Sequence, residues 1–216
     1  KVNLKKIKNL KKEYNLVITT DFDSPIKKKY FSKKMSKNYN STAYTTIIKH
    51  KKISNNVAVQ IFTKKGPLAF LPISKDKTSV VYSVYKSRDD KKVNIEQLIR
   101  NYNFKYNIEK IYNLESFQLK SLNLRSYYHE NILAFGDLLH KIHPLAGQGF
   151  NMTIRDISVL LEIIKNKINL GLYLDSSVNI EFEKKLKHRN LIFSNGIDLL
   201  YELFYFQRSV KSEFFT

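Results

Sequence analysis

Apolar and polar positions follow two different periods along this chain, and the change between them organises it. From about Asn40 to Tyr85 the pattern is that of strands. Ala43–Ile48, Val57–Phe62, Leu68–Ile73 and Ser79–Tyr85 are short apolar or alternating runs with tight polar links, and Gly66-Pro67 is expected to break the chain between the second and third. Such spacing predicts an antiparallel sheet with one covered face. Further on, Val93–Tyr102 is weakly helical, Phe117–Leu124 reads as a returning strand and Ile132–Phe135 as a short buried one. Asn151–Lys165 is the clearest helix, with Ile154, Ile157, Leu160, Leu161 and Ile164 on one stripe predicted to face the core. Ile180–Phe206 forms a second helical region. Near the start, Leu4, Ile7 and Leu10 have helical spacing. Tyr14–Ile18 reads as a short buried strand that runs into a turn over Thr19–Pro25.

Composition narrows the class without naming it. Of 216 residues, 43% are hydrophobic and 13% aromatic, enough for a real core and unlike a disordered chain. With no cysteine, disulfides and thiolate metal sites are excluded. No apolar run approaches the length that spans a bilayer. The net charge of +19 would suit nucleic acid or an anionic membrane surface. However, the cations are nearly all Lys, alongside abundant Asn, Ile, Tyr and Phe, which is the residue set of AT-rich coding. A base reader would use more Arg. No nucleic-acid partner is expected, and a weak attraction to anionic headgroups survives.

The candidate chemistry lies in Gly136-Asp137-Leu138-Leu139-His140-Lys141-Ile142-His143-Pro144-Leu145-Ala146-Gly147-Gln148-Gly149-Phe150-Asn151, which holds half of the chain's 6 glycines. Gly147 and Gly149 flank Gln148 just before the amphipathic helix. Glycine permits close backbone approach or positive φ, and a helix N-terminus offers free N–H groups and partial positive charge. The combination suits something flat or anionic lying against the backbone. Asp137, at a strand end, can accept hydrogen bonds from sugar-like hydroxyls. A bare Gly-x-Gly before a helix is also an ordinary strand–helix connection, so the weight rests on the whole string.

That string resembles the second flavin-binding motif of the single-component FAD-dependent aromatic hydroxylases: Gly-Asp-x-x-His, then Pro, then Gly-Gln-Gly-x-Asn. Asp156 stands where that family places a helix aspartate, and His143-Pro144-Leu145-Ala146-Gly147-Gln148-Gly149 is similar to the ubiquinone-biosynthesis branch. Phe62–Pro72 and Asp198–Phe204 resemble its substrate-domain segment and C-terminal helix.

The resemblance implies an α/β fold in which part of an FAD-binding domain accompanies a mostly antiparallel substrate sheet and C-terminal helices. It divides the chain into 1–27 (remnant of the FAD domain), 28–128 (substrate sheet), 129–170 (flavin-binding segment) and 171–216 (helical region). It implies FAD as cofactor, with NAD(P)H and O₂ as co-substrates. The cofactor-binding residues would be Gly136, Asp137, Pro144, Ala146, Gly147, Gln148, Gly149, Asn151 and Asp21. No catalytic residue is named, because the cofactor carries the hard chemistry. The implied substrate is a polyprenyl phenol, lodged against the apolar sheet face from Ala58 to Val84. Other ubiquinone-biosynthesis proteins would be partners, and the location would be cytoplasmic with peripheral contact at the inner membrane.

Two departures from the family pattern stand out. The strand–GxGxxG–helix unit that holds the ADP half of FAD is expected to be absent. The family's Asp-Gly motif meets Asp21-Phe22-Asp23-Ser24 here, with Phe22 where glycine is expected or with one residue missing. A hydroxylase of soluble aromatics and a non-enzymatic fragment or assembly subunit therefore stay open beside the ubiquinone reading. His140 and His143 lack a third ligand for a metal. His50, His129 and His188 read as surface or loop residues, and Tyr127-Tyr128 as packing.

Overall fold

The sequence builds ten strands and five helices among the residues described. In chain order these are α1 (Leu4–Glu13), β1 (Val17–Thr19), α2 (Pro25–Tyr30), β2 (Lys34–His50), β3 (Val59–Thr63), β4 (Gly66–Pro72) and β5 (Lys77–Tyr85). They continue with α3 (Ile95–Tyr102), β6 (Ile108–Ile111), β7 (Glu115–Leu124), β8 (Tyr128–His129), β9 (Ile132–Ala134), a single 3-10 turn (Gly136–Leu138), β10 (His140–Lys141), α4 (Gln148–Asn169) and α5 (Ser176–Glu213). The computed structural model describes residues 4–85, 94–144 and 148–213, with side chains over 9–85, 94–144 and 148–203. The expected flavin contacts Ala146 and Gly147 lie outside the described residues. The chain divides into two compact units, Lys1–Lys37 with Lys120–Thr216, and Asn38–Leu119. The fold is α/β with an antiparallel sheet.

In the second unit, β3, β4, β5 and β2 pair in that order, all antiparallel, and β6 pairs with β2. Strict alternation decides which face is buried. Ile48, Leu68, Phe70, Val80 and Tyr82 share one face and are sealed by Ile95 and Ile99 of α3 together with Tyr106. This more apolar face is therefore already filled by the chain's own helix and is not an apolar cleft. The opposite face carries Ile47 and Leu71, both exposed.

Gly66-Pro67 does not break the chain. The turn falls at Lys64-Lys65, and both residues belong to β4, pairing with Thr63 and Phe62. Gly66 adopts φ +135°, and a Cβ there would stand 2.0 Å from the Ser83 carbonyl oxygen, so the strand requires glycine at this point.

In the first unit, β1 runs parallel to β9 with Val17 opposite Ile132 and Thr19 opposite Ala134, while β8 pairs antiparallel with β9. Parallel strands buried on both faces read as continuous apolar runs, and Ile132, Leu133 and Ala134 are fully buried. They form a core with Leu138, Leu139, Leu160, Ile163, Val178, Phe182 and Leu186. Asn131 donates to the carbonyls of Lys11 (3.1 Å) and Tyr14 (2.6 Å), closing the C-terminal end of α1. Ser24 caps α2, accepting from the Lys27 amide, with Pro25 in the first turn.

The apolar stripe predicted for α4 is buried only in part: Leu160 is in the core and Ile164 packs against it. Met152, Asp156, Leu160 and Ile163 point inward, whereas Ile154, Ile157 and Leu161 are exposed. A carboxylate sits in the middle of the buried face, and its partner, described next, explains the difference.

Candidate flavin site

Two acidic turns stand at the carboxyl ends of neighbouring parallel strands. Thr19 ends β1 two residues before Asp21, and Ala134 ends β9 two residues before Gly136. The Phe135 amide donates to the Thr19 carbonyl (2.9 Å), locking the two exits together. In open parallel sheets the carboxyl ends of the strands are where ligands bind.

The turns differ in build. Gly136 takes φ +61°, with nothing within 4 Å of where a Cβ would be. The Leu139 amide closes the turn on the Gly136 carbonyl (2.9 Å). From Ile132 to His140 every residue is buried except Asp137, whose carboxylate is exposed and makes no hydrogen bond or ion pair among the described residues. The chain thus presents one acceptor from an otherwise sealed segment.

At the other turn, the Asp21 carboxylate accepts from the Asp23 amide (3.0 Å) and the Asp21 carbonyl accepts from the Ser24 hydroxyl (2.9 Å). Phe22 is half-buried against the core, with the Lys27 ammonium 3.0 Å from its ring centroid. Partial burial, assisted by Lys34, pulls the Lys27 pKa below its ordinary value.

Helix α4 begins at Gln148, and its 22 residues place no acidic side chain in the first turn. Its free N–H groups and partial positive charge are therefore not neutralised by the helix itself. A Cβ on Gly149 would meet only Ile142, at an ordinary 3.8 Å, so that side is open. Gly149 is helical and not at positive φ: its use is to leave room. Asn151 is exposed in the first turn, and Pro144 is half-buried in the segment leading to it.

Behind this surface lies a buried polar network. His140 donates from Nε2 to Asp156 Oδ2 (2.5 Å), and Asn190 Nδ2 donates to the same oxygen (3.3 Å). Arg155 Nη2 donates to Asn190 Oδ1 (2.5 Å). His140 and Asp156 are 3% and 0% exposed. The motif's histidine and helix aspartate are therefore bonded to each other. Sequence spacing alone did not reveal this, because the two residues lie sixteen positions apart across a loop.

His143 is also buried, its ring 4.5 Å from that of Tyr201. Burial drives its pKa down to about 4. The i, i+3 histidines thus have separate surroundings, and among the described residues no group of three or more His, Asp or Glu side chains could hold a metal ion. Tyr127 packs near Phe182, and burial pushes its hydroxyl up to about 12. His129 stacks on Tyr30 and His188 is exposed. His50, expected at the surface, is instead buried at the end of β2. No described helix is long and apolar enough to cross a membrane.

An exposed acceptor on a positive-φ turn, an open glycine and an uncompensated helix N-terminus together fit the ribityl and ring portion of a flavin. Residues 25–169 match the family model described as FAD binding domain, and the chain belongs to that family, whose cofactor is FAD. Among curated proteins, it is 29% identical over 149 residues to the 3-demethoxyubiquinol 3-hydroxylase of Escherichia coli K12, covering 66% of this chain and 38% of that protein. It is 27% identical over 178 residues to the ubiquinone hydroxylase UbiL of Rhodospirillum rubrum, covering 77% and 41%. It is 23% identical over 209 residues to the mitochondrial ubiquinone biosynthesis monooxygenase COQ6 of Danio rerio, covering 77% and 43%. The chain therefore spans less than half the length of these relatives. Among solved structures, the fold is shared with a point variant of Klebsiella pneumoniae HpxO complexed with FAD, at TM-score 0.69, 10% identity, and 91% and 55% coverage. It is also shared with a Pseudomonas aeruginosa PqsL mutant, at TM-score 0.68, 17% identity, and 90% and 57% coverage.

Proposed function

We propose that this chain supplies the flavin-ring and substrate-facing parts of an FAD-dependent, NAD(P)H-using monooxygenase that hydroxylates the ring of a polyprenyl phenol in ubiquinone biosynthesis. The observation that carries this reading is the Gly136–Asn151 segment, which holds both an exposed carboxylate, Asp137, and the start of a helix with no acidic side chain in its first turn. The names of the three curated relatives support the substrate class.

Asp137 would accept hydrogen bonds from ribityl hydroxyls. Gly136, Pro144, Ala146 and Gly147 would line the ring and pyrophosphate by their backbones. The first turn of α4, with Gln148, Gly149 and Asn151, would favour negative charge on the ring by its N–H groups and dipole. Asp21 would approach from the neighbouring strand end. FAD, when bound, supplies electron transfer from NAD(P)H and activation of O₂. The protein's own work is to orient the ring and keep water from it. With the α3 side of the sheet already filled, the face bearing Ile47 and Leu71 is the one open to a prenyl chain.

The test is turnover by the native protein loaded with FAD. Oxygen uptake, NADH or NADPH oxidation and a hydroxylated product are expected with a prenylated phenol, at rates well above those with its unprenylated parent. Equal rates on both would move the assignment to soluble aromatics. A second reading, a non-enzymatic assembly subunit, is favoured by Phe22 filling the turn where the family has glycine. It predicts flavin binding without oxygen uptake on any phenol.

A further inference from the structure

His140 and Asp156 adjoin the proposed flavin surface in sequence but have no part in it so far: both are sealed in the interior, bonded to each other, with Asn190 also donating to Asp156 and the Arg155 guanidinium 3.8 Å from its other oxygen. The setting of α4 about its own axis is the clue to their use. Left to its hydrophobic pattern, the helix would bury Ile154, Ile157 and Leu161. Instead it exposes them and buries a carboxylate. A charge is costly to bury, and here its burial is matched by a directional bond.

We propose that the His140–Asp156 hydrogen bond is a tether that sets the rotation of α4 relative to the Gly136–Leu138 turn, making both of them positioning residues for the group that these two elements hold. The identity of that group as a flavin rests on the function proposed above. The tether itself rests on geometry alone.

On the sheet side, His140 is fixed by β10, which pairs it with Asn123, and by the Leu124 amide, which donates to the Leu139 carbonyl (3.0 Å). The same short segment closes the turn that aims Asp137, so His140 and Asp137 move as one body. On the helix side, Asp156 follows Gly149 by about two helical turns, or about 10 Å along a stiff rod. Asn190, on α5, holds Asp156 Oδ2 and is held in turn by Arg155. The carboxylate therefore cannot re-aim without disturbing α5. An apolar pair would fill the same space but tolerate a range of helix rotations. A short hydrogen bond between two anchored groups tolerates few, since it weakens steeply with angle.

Amide hydrogen exchange on the whole protein tests this with D156N, which keeps shape and an oxygen acceptor, and H140L/D156L, which refills the space without direction. In the double variant the amides of Leu139, Met152 and Thr153 are expected to exchange at least about tenfold faster, relative to those of Leu133 and Leu186 in the core. D156N should restore the wild-type ratio. A uniform change across both sets, or none, overturns the tether and leaves an ordinary core pair. If the double variant does not fold, H140N, whose donor falls short of Asp156, reads the same amides with the same two outcomes. A parallel FAD fluorescence titration of the same samples separates the two claims. Loss of ring ordering, seen as a blurred flavin absorbance band in H140L/D156L but not in D156N, is the expected signature. Unbound FAD in wild type, with the exchange result intact, sinks the flavin reading and spares the tether.

Discussion

Both units bury histidine, and His50 of the sheet unit is used differently from His140 of the other. His50, in the sheet unit, donates from Nδ1 to the Lys51 carbonyl (2.9 Å) and accepts at Nε2 from the Thr78 hydroxyl (3.0 Å), with Tyr106 tilted against its ring at 4.5 Å. Thr78 also accepts from Asn55, whose carbonyl oxygen accepts from Tyr106. Every partner is neutral and belongs to the sheet unit, and the register of β2 against β6 shifts at this residue. His50 braces a bulge. His140 is bonded to a carboxylate on another element, α4, whose first turn is the one proposed to face the flavin. A buried imidazole that meets only neutral groups stabilises the place where it sits. One that meets an ion on a second element fixes the relation between the two.

The largest effect that would separate the cases is expected at Asp156. D156A strands His140 and Asn190 in the interior and should cost about 3–5 kcal/mol, read from urea unfolding. A loss of about 2 kcal/mol or less would place Asp156 on a level with His50 and erase the contrast.

His143 gives the next effect, by pH. Its imidazole, held down to about 4 by burial, stays neutral in the native state, while the unfolded chain takes up a proton as pH falls through the ordinary 6.5. The unfolded state then binds more protons, so stability is full above that value and declines as pH drops toward 4. The loss reaches up to about 3 kcal/mol. H143F, which keeps a ring against Tyr201, should flatten this slope. An unchanged slope would assign it to other groups.

A smaller stability effect is expected at His50. H50F leaves Thr78 short of an acceptor and should cost about 1–2 kcal/mol in thermal unfolding, with FAD affinity unchanged. A shift in FAD affinity would show that the sheet unit feels the flavin site after all.

What the sequence made legible follows the same division. The strands of the sheet unit were readable because alternation reports burial directly. The short β6 was not read as a strand, and the ends of the others were off: β2 begins at Lys34, well before the apolar run, because strand pairing does not require apolar side chains. Gly66 was misread as a break because glycine and proline signal turns, whereas here glycine admits the Ser83 carbonyl. The Gly136–Asn151 string was legible because backbone chemistry at Gly136 and the helix start is local. The rotation of α4 was not, because its buried face is chosen by His140, a long-range partner that outweighs three exposed aliphatic residues. Burial of His50 was hidden for the same reason: the hydroxyl that satisfies it comes from β5.

Asp137, the one exposed residue between Ile132 and His140, is central to all of this, because the proposed function requires it to hold FAD. The direct measurement is FAD affinity of the native protein against D137A, with unfolding stability recorded on the same samples. A surface carboxylate whose only proposed partner is the cofactor contributes little to stability, so a change within about 0.5 kcal/mol is expected there, with FAD affinity falling by about tenfold or more. Unchanged flavin affinity and absorbance in the variant would contradict it.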